Sequence, residues 1–192
     1  MTGTGSITPE ILRTAMQASV PTALPDAGLT RAGVLVPVRY SDPSPRLLFT
    51  KRTERVETHK GQISFPGGMV ESGDRDIIAT ALREAREEIG VDAKDIEVLG
   101  LLDDLATPTG FIITPVVALI SAETPLTPNA DEVAELFEVP LALFADPATG
   151  RAEKRIVRGV EREVWHYDDG AHIIWGATAA IVRSLLRALR MI

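Results

Sequence analysis

Gly67-Gly68-Met69-Val70-Glu71-Ser72-Gly73-Asp74, followed by Arg83-Glu84-Ala85-Arg86-Glu87-Glu88-Ile89-Gly90, reads as a glycine-rich loop feeding a helix with carboxylates at Glu84, Glu87 and Glu88. At roughly 100° per residue, Ile78, Leu82, Ala85 and Ile89 share one side of that helix and the glutamates form an adjacent stripe. Two like charges about 6 Å apart repel by about 3 kcal/mol at an effective dielectric of about 20, so the stripe is unfavourable on its own. A divalent cation reverses that sign. Oxygen ligands of this kind suit Mg²⁺ or Mn²⁺, which keep several waters and share the remaining positions with phosphates. The plainer reading is a solvated acidic face with Arg83 paired to Glu87 at i, i+4. The glycines at 67, 68 and 73 permit close backbone approach, Asp74 or Asp76 can cap the helix, and Gly90 stands where a left-handed residue would end it.

Outward from this centre, Thr8-Pro9-Glu10 looks like a helix start, with Ile11, Leu12, Ala15 and Met16 on one apolar face. A turn at Ser41 to Pro45 separates two strand-like segments, Gly33 to Arg39 and Arg46 to Thr50, and predicts a hairpin. Beyond the helix, Ile96 to Leu102, Ile112 to Ile120, Glu132 to Val139 and Arg155 to His166 read as strands, and Trp175 to Leu189 as a closing amphipathic helix. Strands bracketed by substantial helices fit a layered α/β arrangement. Trp165 and Trp175 are expected to pack rather than stack on bases, because aromatics are scarce and not interleaved with basic residues.

From Gly68 to Val91 the chain resembles a Nudix box, the diphosphate-hydrolase signature Gly-x5-Glu-x7-Arg-Glu-φ-x-Glu-Glu-x-Gly-φ, where φ is aliphatic. Arg83, Glu84, Ala85, Glu87, Glu88, Gly90 and Val91 occupy its second half. Asp74 stands where the box usually has Glu, and one extra residue precedes Arg83. Both departures, and Thr-Ala-Leu-Arg-Glu-Ala at Thr80 to Ala85, are similar to the coenzyme A pyrophosphatase branch. That branch also carries Leu-Leu-Thr-x-Arg-(Ser/Ala)-x3-Arg-x3-Gly-x3-Phe-Pro-Gly-Gly, matched here by Leu48, Thr50, Arg52, Gly61, Phe65, Pro66, Gly67 and Gly68. Phe49, Thr53 and Glu57 depart from it, and Glu57 inverts a charge. The resemblance runs from about residue 30 to the C-terminus. It implies one Nudix domain over residues 1–192, an α/β/α sandwich with a mixed β-sheet between helices. Residues 1–30 form an N-terminal extension with a short helix, and 67–91 the box.

The implied chemistry is metal-dependent hydrolysis of coenzyme A to 3′,5′-ADP and 4′-phosphopantetheine. Glu84 and Glu88, one turn apart, are the leading ligands for Mg²⁺ or Mn²⁺, with Glu87 on a second ion or a coordinated water and Arg83 orienting a glutamate. The resemblance implies as base one of these glutamates, or Glu132 or Glu135 from the later region, and Glu135 is counted with Arg83, Glu84, Glu87 and Glu88 as an expected catalytic residue. The plain alternative for Glu132 and Glu135 is a polar strand edge. Lys51, Arg52, Arg55 and Lys60 form a basic cluster for the diphosphate or the 3′-phosphate, or a solvated strand edge. Gln62, Gly67 and Gly68 complete the expected substrate contacts, and His59 lies beside the loop. Other Nudix diphosphatase substrates, such as ADP-ribose, NADH or nucleoside triphosphates, and a ligand-sensing module without catalysis are the rivals.

A chain of 192 residues with 45% apolar and 24% charged residues suits one soluble domain. A net charge of −7 argues against extended nucleic-acid binding, though not against a small phosphate ligand. There is no cysteine, so disulfide and thiol chemistry are excluded. No apolar run approaches the roughly 20 residues of a membrane span, and no basic-then-apolar leader is present, so a cytoplasmic protein with a small-molecule substrate and no membrane partner is expected. The sequence leaves the oligomeric state open.

Overall fold

The computed structural model describes residues 7–41, 44–55, 60–157 and 159–192. Glu57, His59 and the Asp42-Pro43 portion of the expected turn lie outside the described residues. In chain order the elements are α1 (Pro9–Ala18), β1 (Thr30–Ser41), β2 (Ser44–Arg52), β3 (Ile63–Ser64), β4 (Gly67–Met69), α2 (Ile77–Ile89), a 3-10 turn (Ala93–Asp95), β5 (Ile96–Leu101), β6 (Leu105–Ala106), β7 (Phe111–Ser121), β8 (Val133–Pro140), α3 (Leu141–Ala145), β9 (Gly150–Val157), β10 (Val160–Asp168), β11 (Ile173–Trp175) and α4 (Gly176–Ala188).

Among the described residues, eight strands make one sheet whose spine runs β3-β2-β1-β7-β5, with β8 along β2, β4 along β1 and β6 along β7. β1 and β7 are parallel from Thr30↔Phe111 to Tyr40↔Ser121, whereas β2 is antiparallel to both β1 and β8, so the sheet is mixed as expected. Strand alternation sends Leu35, Leu48, Val116, Ala118 and Ile120 to one face, where Ala81, Ala85 and Ile89 of α2 cover them. Val36, Leu47, Phe49 and Val117 point the other way, against Leu12 and Met16 of α1 and Ala179, Val182 and Leu185 of α4. Helices therefore cover both faces of the sheet, as in the sandwich expected.

Arg155 to His166, expected as one strand, is instead part of the β9–β10 hairpin, paired from Val157↔Val160 to Gly150↔Tyr167. Gly159 adopts φ +79 between the two strands, a conformation open to glycine at little cost, and this reverses the chain. β11 adds to β10 to make a second, three-stranded sheet. Trp165 is partly buried, with the Arg183 guanidinium 3.5 Å over its ring, whereas Trp175 is 43% exposed and stacks on His166 at 6.0 Å between ring centroids.

The segment after α1, in which the sequence carries no assignable signal, is tied across the sheet edge by two aspartates. The Thr22 amide donates to Asp103 at 2.7 Å and the Leu24 amide to Asp104 at 2.9 Å. Asp104 also accepts from Arg31 at 3.2 Å and from the Thr114 hydroxyl at 2.5 Å. No helix among the described residues is long and apolar enough to cross a membrane.

Candidate active site

α2 starts where the Asp76 carboxylate accepts the Ala79 amide at 2.8 Å, and Gly90 closes it in the left-handed conformation. Its small apolar residues seat it against the sheet and leave Arg83, Glu84, Glu87 and Glu88 toward the glycine loop. Arg83 is the hub. Its Nε and Nη2 donate to Asp74 at 3.1 and 3.2 Å, and Nη2 also reaches the Met69 carbonyl at 2.9 Å. Nη1 donates to Glu84 at 2.8 Å and to Glu87 at 3.0 Å. A two-pronged guanidinium to carboxylate pair fixes orientation as well as charge. Asp74 in turn accepts the Glu71 amide and the Thr80 hydroxyl, each at 2.9 Å. The Arg83 hydrogen bonds, followed by the Glu71 amide, hold its carboxyl down at about 2. The shorter acid at this position thus anchors the arginine that steers the glutamates.

Glu84 lies against the loop so closely that a side chain at Gly68 would collide with its carboxylate. Burial pushes the Glu84 carboxyl up, and Arg83 opposes the shift. Glu87 is half exposed, with its side chain 53% accessible. Glu88 is the unusual member, a carboxylate only 2% exposed. Its Oε1 takes a 3.3 Å contact from Arg52 Nη1, while Oε2 is buried with no hydrogen-bond partner among the described residues. Burial raises its pKa to about 8; Arg52 and the Gly67 backbone amide oppose that rise, while the charges of Glu84 and Glu132 add to it. A buried acid with an orphaned oxygen is costly unless something neutralises it.

Arg52 arrives from the end of β2, and its Nη2 also stands 3.9 Å from Glu132. Its neighbour Lys51 takes the opposite face. Lys51 and Glu135 are cross-strand partners, and the register shifts between Lys51 and Arg52. Glu135 alternates with Phe137 and Val139, which face the α4 side of the sheet. There Glu135 meets Lys51 at 3.9 Å and His172 Nε2 at 3.1 Å. His172 Nδ1 lies 3.2 Å from Asp169, and its ring stacks on Phe137 at 3.7 Å between centroids.

The structure therefore gathers Arg83, Glu84, Glu87, Glu88, Arg52, Gly67 and Gly68, and of the two later glutamates it brings Glu132 to them. It does not gather Glu135 or Lys51 with them. Arg55 is exposed beside Asp131 at 4.0 Å, and the Gln62 carbonyl accepts the Arg52 amide at 2.9 Å. Lys60 is exposed. The expected basic cluster is thus divided, most of its members facing an acid rather than one shared anion site. Asp169 and His172 carry no motif in the sequence that marks them out. Asp169 is a carboxylate partner for His172 three residues away, and the return of this segment against β8 adds the second, Glu135.

Among the described residues, no group of three or more His, Asp or Glu side chains is gathered closely enough to hold a metal ion as they stand. The donors nevertheless fit a hard dication. They are carboxylate oxygens; Glu88 has an orphaned one, and Glu84 and Glu132 both disfavour the charge of Glu88. Glu84 and Glu88 would hold such an ion, with Glu87 or Glu132 at its margin.

A family model for the NUDIX domain matches residues 29–158. A Pectobacterium atrosepticum protein named as the uncharacterized Nudix hydrolase NudL is 44% identical over 160 residues, which span 81% of this chain and 80% of that protein. Its Photorhabdus laumondii namesake is 38% identical, covering 83% of this chain and 85% of that protein. Among solved structures, a MutT/nudix family protein from Enterococcus faecalis aligns over 94% of this chain and 69% of that one, with a TM-score of 0.52 at 19% identity. A Deinococcus radiodurans protein aligns over 80% and 81%, with a TM-score of 0.53 at 16% identity. At these identities the structural likeness speaks to the fold alone.

Proposed function

The chain belongs to the Nudix hydrolase family, and from that premise we propose that it hydrolyses the diphosphate linkage of coenzyme A or a derivative, yielding 3′,5′-ADP and 4′-phosphopantetheine. At the coarser level, the activity is that of a Nudix hydrolase on a nucleoside diphosphate derivative. The observation that carries the metal-dependent reading is the buried Glu88 carboxylate with one oxygen unpartnered among the described residues, next to Glu84. The coenzyme A reading rests on the segment from Leu48 to Gly68 and on the shortened acid at Asp74.

In this reading Glu84 and Glu88 hold Mg²⁺ or Mn²⁺, and Glu87 holds a coordinated water or a second ion. When bound, the metal supplies charge neutralisation on the phosphoryl oxygens and a water of lowered pKa. Arg83, itself fixed by Asp74, keeps Glu84 and Glu87 in place. Gly67 and Gly68 let the backbone approach the diphosphate. Of the two later carboxylates, Glu132 supports the role of base better, because its charge acts on Glu84 and Glu88. Glu135, with Lys51 and His172, stands on the far face of the strand pair. Glu132→Gln is expected to reduce kcat about a hundredfold and Glu135→Gln much less, the usual scale for a lost general base; the reverse order in single-turnover rates restores Glu135.

Incubation with coenzyme A and Mg²⁺ or Mn²⁺, with products identified by mass, tests the substrate. Release of 3′,5′-ADP at a kcat/KM well above that for ADP-ribose, NADH or nucleoside triphosphates is the expected outcome. Comparable turnover across that panel removes the coenzyme A assignment and leaves a broader diphosphatase. A sensing module without catalysis is the weaker alternative, because Glu84, Glu87 and Glu88 are all retained.

A further inference from the structure

Two arginines face the carboxylates of α2, and they are held very differently. Arg83 is immobilised, with Nε and Nη2 committed to Asp74 and the Met69 carbonyl. Arg52 reaches Glu88 at 3.3 Å and Glu132 at 3.9 Å, and its buried Nε has no hydrogen-bond partner among the described residues. Among the described residues its acid partners are thus two long contacts, to carboxylates grouped around the expected metal position, and Arg52 lies 36 residues before Glu88 in sequence.

We propose that Arg52 is an exchangeable internal cation: it rests against Glu88 and Glu132 while no dication is bound, and it turns to the diphosphate of the substrate once those carboxylates are taken by Mg²⁺ or Mn²⁺. This rests on the assignment of Glu88 as a metal ligand. Physically, a guanidinium and a dication cannot both neutralise one buried carboxylate at full strength, so they compete for Glu88. The released fork of Arg52 matches the geometry of phosphate oxygens, and its loose seating makes the exchange inexpensive. Arg83 cannot play this part, because leaving the glutamates would break its hydrogen bonds to Asp74.

The competition predicts effects of opposite sign. Removing Arg52 frees Glu88 for metal and deprives the diphosphate of a partner. Mn²⁺ binding to the full chain without substrate is followed by calorimetry, with all variants in the same buffer. Arg52→Gln is expected to bind Mn²⁺ about fivefold more tightly than the wild type, the scale of one partly exposed ion pair. Its affinity for ADP, used as a diphosphate probe at saturating Mg²⁺, is expected to fall about tenfold, the scale of a lost charge-assisted contact. Arg52→Lys, which keeps the charge without the fork, is expected to fall between the two proteins in both titrations, and it carries the test if the glutamine variant does not fold. Mn²⁺ affinity that is unchanged or weakened in both variants overturns the exchange, as does unchanged ADP affinity. Glu88→Gln separates this outcome from failure of the underlying reading. If that variant binds Mn²⁺ as well as the wild type, Glu88 is not a ligand and both fall; if it loses Mn²⁺ while the arginine variants do not gain it, only the exchange falls.

Discussion

Glu88 makes the metal-free protein sensitive to pH in a direction opposite to that of an ordinary ion-paired acid. Its folded pKa of about 8 lies above its unfolded value of 4.5, so between those values the native state binds more protons than the unfolded one. Stability contributed by this group is therefore full below 4.5 and declines as pH rises toward 8. Melting temperatures recorded in chelator across that window are expected to fall with rising pH in the wild type and to flatten in Glu88→Gln. Added Mg²⁺ should raise the wild-type curve most at its alkaline end, because the dication favours the ionised acid. The same substitution should lower turnover by several kcal/mol of barrier, the scale of a principal metal contact. Near-normal turnover of Glu88→Gln at saturating metal would contradict the metal role. Asp74 behaves in the ordinary way: it is held at about 2, so its clamp on Arg83 is present above 3.8 and is lost only as pH falls through the lower value.

The loop and α2 work as one element, and their two adjacent glycines have separable tasks. A methyl group at Gly67 would run into the Gly33 carbonyl and the Val34 Cα, each at 2.7 Å, and backbone there cannot yield without moving β1. At Gly68 the obstacle is the end of the Glu84 side chain, which can swing away. Gly67→Ala is therefore expected to cost about 1–3 kcal/mol in urea unfolding, the usual scale of overpacking. Gly68→Ala should keep nearly wild-type stability but lose Mn²⁺ affinity and kcat together, about tenfold or more, the scale of disturbed ligand support. If Gly68→Ala left metal binding intact, Glu84 would not need its present position. These elements are readable in sequence because their rules are local. Helical spacing places Ile78, Ala85 and Ile89 inward and the glutamates to one side, while Asp76 and Gly90 mark the ends. The β9–β10 hairpin is not legible in the sequence, because its strands are largely exposed and polar and no alternating burial marks where one strand stops.

At the level of the whole molecule, the mixed sheet brings together groups remote in sequence and keeps chain neighbours apart. Asp104 binds the segment after α1 to β1 and β7 through Leu24, Arg31 and Thr114. Asp104→Ala should strip these bonds at once and lower stability by about 3 kcal/mol, the scale of a broken buried pair, with early hydrogen-exchange loss confined to residues around Leu24. Uniform loss across the sheet would instead mean that the segment is integral to the core. The helix, its acidic stripe, the capping positions and the alternating strands follow from the sequence alone, because each depends on residues within a few positions of one another. Which cation meets which acid does not. Lys51 and Arg52 are adjacent in the chain, yet the pleat and the register shift on β8 send one to Glu135 and His172 and the other to Glu88 and Glu132. Only strand pairing and the seating of α2 on the sheet decide that, because side-chain direction alternates within a strand while the partners come from elements far along the chain.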